Sequence, residues 1–218
     1  MPFLLGLTGN IACGKSTVGR LLAERYRADY IDADALVHER YAPDTPETTA
    51  IARRFGSDLR QADGTIDRRR LGDLVMADPS ARRDLERILD PAVRRALTQR
   101  IEQAWAPVVV LDAIRLIESG LADRCDAVWV VTCPRAVQVQ RLRTSRGFNR
   151  AQAEARVDAQ PPQDEKIARA TTVIENHGSR AELEQHVAAA WARLASSVGQ
   201  SPGEAIQSPI PDPQSRER

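Results

Sequence analysis

Gly9-Asn10-Ile11-Ala12-Cys13-Gly14-Lys15-Ser16 is the stretch whose reading decides the fold. It fits G-x-x-x-x-G-K-[ST], the phosphate-cradling loop, and its context is the one that motif needs. Phe3-Leu4-Leu5-Gly6-Leu7-Thr8 before it is a short apolar run of strand type, and Val18, Leu21 and Leu22 after it recur at helical spacing. The glycines let backbone N–H groups turn inward around an anion, and a helix starting near Gly14 points its positive end at the same place. Lys15 reaches the outer phosphates of a nucleoside triphosphate in this pattern, and the Ser16 hydroxyl faces Mg²⁺. The expected ligand is therefore a nucleoside triphosphate with its magnesium.

Working outward, strand-like and helix-like segments alternate as in a parallel α/β sheet. The second strand is expected over Asp29-Tyr30-Ile31, ending at Asp32-Ala33-Asp34. Val108-Val109-Val110-Leu111-Asp112 and Ala127 to Thr132 are continuous apolar runs, the pattern of strands buried on both faces. Thr172-Val173-Ile174 reads as the last strand and Glu182 to Leu194 as a closing helix. Residues 35–104 are helical and heavily charged, an insertion between two sheet strands, so the core domain is parsed as 1–34 plus 105–198. After Ser196 the composition turns to serine, proline, glycine and charge, and residues 199–218 are expected to be disordered.

Composition narrows the classes. The chain has 218 residues, and 31 lysines and arginines stand against 30 acidic residues, so no bulk field points to nucleic acid or an anionic membrane. No apolar run reaches the ~20 residues of a membrane-spanning helix. Met1-Pro2-Phe3 leads straight into a strand without a basic region, so no signal peptide is expected and the cytoplasm is the default compartment. Cys13, Cys125 and Cys133 have neither zinc spacing nor a secreted disulfide pattern. Cys13 fits a small-residue slot in the phosphate loop, where it is also open to oxidation.

Binding alone is not turnover, and the carboxylates speak to the second. Asp32 and Asp34 follow the second strand, whose end lies beside the phosphate loop in a doubly wound sheet. Phosphoryl transfer needs one acid to hold the metal and its water and one to accept a hydroxyl proton, which this pair can supply. Asp112 has two readings: an aspartate anchoring magnesium through water, or a cap on the strand end. Residues 134–166 carry Arg135, Arg141, Arg143, Arg146, Arg150, Arg156 and Lys166. A basic flap would stabilise the charge of a migrating phosphoryl group, with Arg141 and Arg146 the first candidates. The same charges also suit a solvated face paired with Glu154, Asp158, Asp164 and Glu165.

These residues together resemble the dephospho-coenzyme A kinase family. The resemblance runs through Leu7 to Thr17, Ile31-Asp32-Ala33-Asp34, Ala62 to Leu71, Ile88-Leu89-Asp90-Pro91, Leu116-Ile117-Glu118-Ser119-Gly120-Leu121, Gln140-Arg141-Leu142, Arg156 to Lys166 and Val173 to Gly178. It covers nearly all of residues 3–195 and implies a P-loop kinase with a doubly wound parallel sheet, a helical acceptor-binding insertion and a helical lid over about 146–166. It implies Mg²⁺ and ATP as cofactors and dephospho-coenzyme A as the small-molecule partner; composition points to no nucleic acid and no membrane, and the sequence leaves the oligomeric state open with a monomer favoured. The implied catalytic set is Lys15, Asp32, Asp34, Arg141 and Arg146, with Ser16 and Asp32 on the metal. ATP would rest on Gly9, Ala12, Cys13, Gly14, Lys15, Ser16 and Thr17, and Asn176 would lie near adenine through backbone and amide groups. Glu118 would lie near the acceptor.

Three departures stand out. Asn10 and Ala12 replace the glycines more usual in such loops, and Asn10 is the residue expected to tolerate left-handed angles. Asp90 stands where histidine is usual before Pro91, and Ile114-Arg115 replaces a proline-leucine pair. Arg115 could thereby add a cation for the acceptor's diphosphate. The competing readings are another P-loop small-molecule or nucleotide kinase and a non-catalytic ATP-binding regulator. A GTPase is disfavoured because no Asn-Lys-x-Asp segment is present. A transport ATPase is disfavoured because no Ser-Gly-Gly-type signature precedes Val108.

Overall fold

Two compact units make up the computed structural model: residues 1–31 with the described residues from 104 on, and residues 32–103. The model describes residues 1–198, so the 199–218 tail expectation lies outside the described residues. The division falls at 31/32 and 103/104, where the sequence was parsed at 34/35 and 104/105. Asp32 and Asp34 thus group with the helical unit.

The first unit is built on β1 (Phe3–Thr8), β2 (Asp29–Asp32), β3 (Val108–Asp112), β4 (Ala127–Thr132) and β5 (Thr172–Glu175), in the order β2-β3-β1-β4-β5. The pairs β1–β3, β1–β4 and β4–β5 are parallel, with Leu5 opposite Val110 on one side and Ala127 on the other. All five residues of β3 are buried, as its unbroken Val-Val-Val-Leu run requires of a strand covered on both faces. Helix α1 (Lys15–Tyr26) follows β1, and α9 (Arg180–Val198) packs on β5 and α1. The core joins Leu5, Leu7, Val18, Leu22, Val110, Trp129, Val187 and Trp191, with the Tyr26 and Trp191 rings 4.7 Å apart. Beyond β4 come α6 (Arg135–Arg146), α7 (Arg150–Asp158) and α8 (Gln163–Ile167). Pro134 is the N-cap residue of α6, and α7 opens with a capping box of Asn149 and Gln152.

Since β3 lies on one side of β1 and β4 on the other, the chain's winding reverses at β1. The carboxyl end of such a strand is where ligands bind in open α/β sheets, and residues 9–14 occupy it.

The second unit holds α2 (Ala33–Glu39), α3 (Pro46–Phe55), α4 (Arg68–Ala77) and α5 (Pro79–Glu102) around Ile51, Leu59, Ile66, Leu71, Leu85 and Leu89. Thr45 and Asp78 accept backbone N–H groups ahead of Pro46 and Pro79, and Asp67 accepts from both Arg69 and Arg70.

Candidate active site

The phosphate loop needs its glycines for measurable reasons. Gly9 has φ 150°, and a Cβ there would collide with the Val131 carbonyl of β4. Gly14 has φ 96°, and a Cβ there would strike the Asn176 amide. The remaining left-handed loop residue is Ala12, with φ 60°. Asn10, the expected bearer of that conformation, has no positive φ. Its side chain is buried instead and donates from Nδ2 to the Pro161 carbonyl at 2.9 Å. The asparagine is there for that reach, and the strain of a non-glycine loop falls on alanine.

Three braces fix the loop from inside its own unit. The Gln160 side chain accepts the Ile11 N–H at 2.6 Å. Asn176 donates from Nδ2 to the Cys13 carbonyl at 2.7 Å. Arg141 donates to the Ala12 carbonyl at 3.1 Å, and to the Asn176 carbonyl and Oδ1 at 2.9 and 3.2 Å. The Asn176 side chain, expected near adenine, is thus committed to the loop and to Arg141, and the residue is only 7% exposed. A guanidinium bound to carbonyl oxygens keeps its charge uncancelled, here on the glycine loop.

Lys15, the first residue of α1, lies 3.1 Å from Asp112 Oδ1. Asp112 Oδ2 accepts the Tyr30 hydroxyl at 2.6 Å. The aspartate is buried at the end of β3. It holds the lysine in place. Ser16 is exposed at the second position of α1, and Thr17 donates its N–H to the Gly14 carbonyl.

The other cations of 134–166 sort by partner. Arg135 makes a two-pronged pair with Asp158 at 2.7 and 2.8 Å, Arg150 pairs with Glu154, and Arg156 lies 4.4 Å over the Phe148 ring. Lys166 is buried and donates to Glu118 at 2.7 Å and to the Ile114 carbonyl at 2.8 Å. Burial works against the Glu118 charge, but the Lys166 hydrogen bond and positive charge outweigh it and hold the carboxyl below its ordinary range. Arg146 is exposed at the end of α6, without an ion pair among the described residues.

In the helical unit, Asp32 closes β2 and caps α2, its Oδ1 accepting the Ala35 N–H at 2.9 Å, and Asp34 lies in that helix's first turn. His38, one turn on, has its pKa lowered by burial and then by Arg68, against the pull of Asp34 and Asp32. The structure joins Ala12, Cys13, Arg141 and Asn176 by hydrogen bonds around the loop of Gly9 and Gly14, pairs Lys15 with Asp112, and leaves Arg146 outside both groups. Sequence reading missed Tyr30, Gln138 and Cys133, all in contact with one of these groups. A tyrosine in an edge strand and a glutamine inside a helix carry no local signal for partners 82 and 125 residues away.

A parallel five-stranded sheet, a glycine loop at its winding reversal and a lysine opening the next helix define a P-loop kinase fold. Solved shikimate kinases share that fold alone, one from Acinetobacter baumannii with TM-score 0.54 at 18% identity over 90% of this chain and 95% of its own. The family model for dephospho-CoA kinase matches residues 3–182, and the chain belongs to that family. It is 47% identical to a dephospho-CoA kinase of Geobacter metallireducens over 191 residues, 86% of this chain and 94% of the relative. A relative of the same name from Geobacter sulfurreducens is 45% identical, covering 87% and 98%. Among solved structures, TT1252 from Thermus thermophilus is similar with TM-score 0.78 and 36% identity over 88% of this chain and 98% of that one.

Proposed function

We propose that the protein transfers the γ-phosphoryl group of ATP to the 3′-hydroxyl of dephospho-coenzyme A, completing coenzyme A. The observation that carries the reading is the Arg141–Asn176–Cys13 brace around a Gly14-Lys15-Ser16 loop, within a chain that matches the family over 180 residues. A merely ATP-retaining loop has no need of a guanidinium fixed on its carbonyls. A cation placed where transferred charge develops is what phosphoryl transfer asks for.

The roles follow from chemistry. Backbone N–H groups of 12–17 bind the phosphates, Lys15 follows the outer phosphate, and Arg141 stabilises the equatorial oxygens of the migrating group. The Lys15–Asp112 pair keeps the ammonium from collapsing onto the loop before nucleotide arrives. Asp34 accepts the hydroxyl proton. Ser16 and Asp32 offer a hydroxyl and a carboxylate, the hard oxygen donors that suit Mg²⁺. When bound, Mg²⁺ neutralises charge on the β- and γ-phosphate oxygens. We assign the helical unit to acceptor binding, residues near 146–166 to a lid with Arg146 joining the phosphates, and the backbone near Asn176 to the adenine.

The test is to mix purified protein with Mg²⁺-ATP and dephospho-coenzyme A and follow ADP and coenzyme A by mass. Acceptor-dependent formation of both is expected. ATP bound without coenzyme A formed, while other hydroxyl acceptors are phosphorylated, would overturn the acceptor assignment. Asp34→Asn should lower kcat by about 10²–10⁴, the usual worth of a positioned base, with ATP binding intact; full activity would remove Asp34 from that role.

A further inference from the structure

Beneath the phosphate loop lies a chemistry that phosphoryl transfer does not use. Cys13, inside the loop, and Cys133, just past the end of β4, are both free thiols and both buried. Their sulfurs are 3.6 Å apart, with Cys133 Sγ donating to Cys13 Sγ. Around them the partners are polar. Gln138 of α6 donates from Nε2 to Cys13 Sγ at 3.0 Å, and Gln163 of α8 accepts from it at 3.4 Å while donating to the Cys133 carbonyl at 3.0 Å. A thiol filling an apolar slot would not draw two glutamines and a second thiol. The third cysteine is the internal contrast: Cys125 Sγ donates to the Leu121 carbonyl, and burial pushes its pKa up to about 11.

We propose that Cys13 and Cys133 form a reversible oxidation site, in which a hydroperoxide joins them as a disulfide that disables the phosphate loop. The hydrogen bond from Cys133 leads the effects that bring the Cys13 thiol down to about 7, with Gln138 adding to it and burial opposing. Cys13 also sits just before the N-terminus of the twelve-residue α1, whose positive end favours a thiolate. The same contact with Cys13, together with burial, pushes Cys133 up. The pair therefore divides into an attacking and a resolving thiol.

The steps balance. The Cys13 thiolate attacks the terminal peroxide oxygen, the S–O bond forms, the O–O bond breaks, and hydroxide (from hydrogen peroxide) or alkoxide (from an organic hydroperoxide) leaves to take up a proton. Cys133 then attacks the Cys13 sulfenic sulfur, the S–S bond forms, the S–O bond breaks, and the hydroxide departs with the Cys133 proton as water. In sum, two thiols and one hydroperoxide give one disulfide, one water and one water or alcohol. Because both sulfurs are buried under residues 160–163, a small hydroperoxide reacts ahead of bulky disulfide oxidants.

Bond formation draws the sulfurs about 1.5 Å closer, to the ~2.05 Å of a disulfide. Cys133 is anchored by the strand before it and the helix after it, so the loop must move. The Cys13 carbonyl is held by Asn176 and its N–H by Asn10, so the displacement falls on the N–H cradle itself. A binding constellation tolerates about 0.5 Å of such misplacement. The effect on nucleotide rests on the ATP-binding reading above, whereas the cross-link does not, so the two can fail separately.

The experiment treats the full chain with hydrogen peroxide, maps peptides without reduction, and titrates Mg²⁺-ATP before and after. A Cys13–Cys133 cross-linked peptide is expected, with ATP affinity down about tenfold, ~1.4 kcal/mol, and restored by a thiol reductant. Cys133→Ser should give no cross-link and leave a Cys13 sulfenic acid that a carbon-nucleophile probe captures; Cys133→Ala repeats the test if the serine variant misfolds. Cys125→Ser should cross-link as the parent does. Recovery of Cys13 and Cys133 unlinked from treated parent protein would overturn the site, and a full cross-link with unchanged ATP affinity would overturn the switch.

Discussion

At the residue scale the governing contact is Lys15 with Asp112. A buried carboxylate is tolerable only while charged or hydroxyl partners face it, and here Lys15 and Tyr30 are those partners. Lys15→Ala should therefore do two separable things. It should lower kcat by about 100-fold or more by removing a donor from the developing charge. It should also cost about 3 kcal/mol of stability by leaving the buried Asp112 charge without its cationic partner. Adding Asp112→Asn should recover most of the stability and none of the activity. Chemical denaturation beside a turnover assay reads both, and recovery of activity would mean that Lys15 acts only as a counter-ion. Lys15 was legible because its spacing from Gly9 and Gly14 has a fixed mechanical meaning. Tyr30 was not, because nothing local distinguishes a tyrosine that reaches an aspartate 82 residues away from one that covers a sheet edge.

At the element scale, the strands were legible and the clasps between elements were not. Val108–Asp112 and Ala127–Thr132 have the predicted bounds because only a strand buried on both faces explains runs so apolar and so short. Pro134, Asn149 and Asp78 punctuate their helices in ways that sequence shows directly. The tie of α8 to the segment after β3, by contrast, is a buried lysine in a region that reads as a solvated basic flap. Lys166 holds Glu118 and the Ile114 carbonyl, and Glu118 has its pKa lowered. A lowered carboxyl pKa stabilises the fold above the unfolded-state value, and that stability is lost as pH falls through the folded-state value. The clasp should thus be intact at neutral pH and fade below the ordinary glutamate range. Glu118→Gln should cost about 2 kcal/mol at pH 7, less than the ~3–5 of a fully buried pair because the Glu118 side chain is 29% exposed. The difference from the parent should shrink as the pH is lowered through that range. A difference that stays constant with pH would show that the glutamate acts through packing alone.

At the scale of the whole molecule, the two units can be read apart by an accident of composition. All three tryptophans, Trp105, Trp129 and Trp191, belong to the sheet-bearing unit, and two of them are in its core. Tryptophan fluorescence therefore follows that unit alone, while circular dichroism reads the helices of both, so a gap between the two transitions reports the helical unit. A ligand that binds the native state alone stabilises it by about 2.7 kcal/mol at a hundred times its Kd. In a chain of this size that raises a melting midpoint by ~2–4 °C per kcal/mol. Mg²⁺-ATP should accordingly shift the tryptophan transition upward by about 5–10 °C, and Lys15→Ala should erase most of that shift. Dephospho-coenzyme A, assigned to the helical unit, should move the circular-dichroism transition more than the fluorescence one. An acceptor that shifts fluorescence equally or more would place its principal contacts on the sheet-bearing unit, with Arg115 and Glu118 first among the residues to change. Alanine at Arg115 should then raise the KM for the acceptor while leaving that for ATP unchanged.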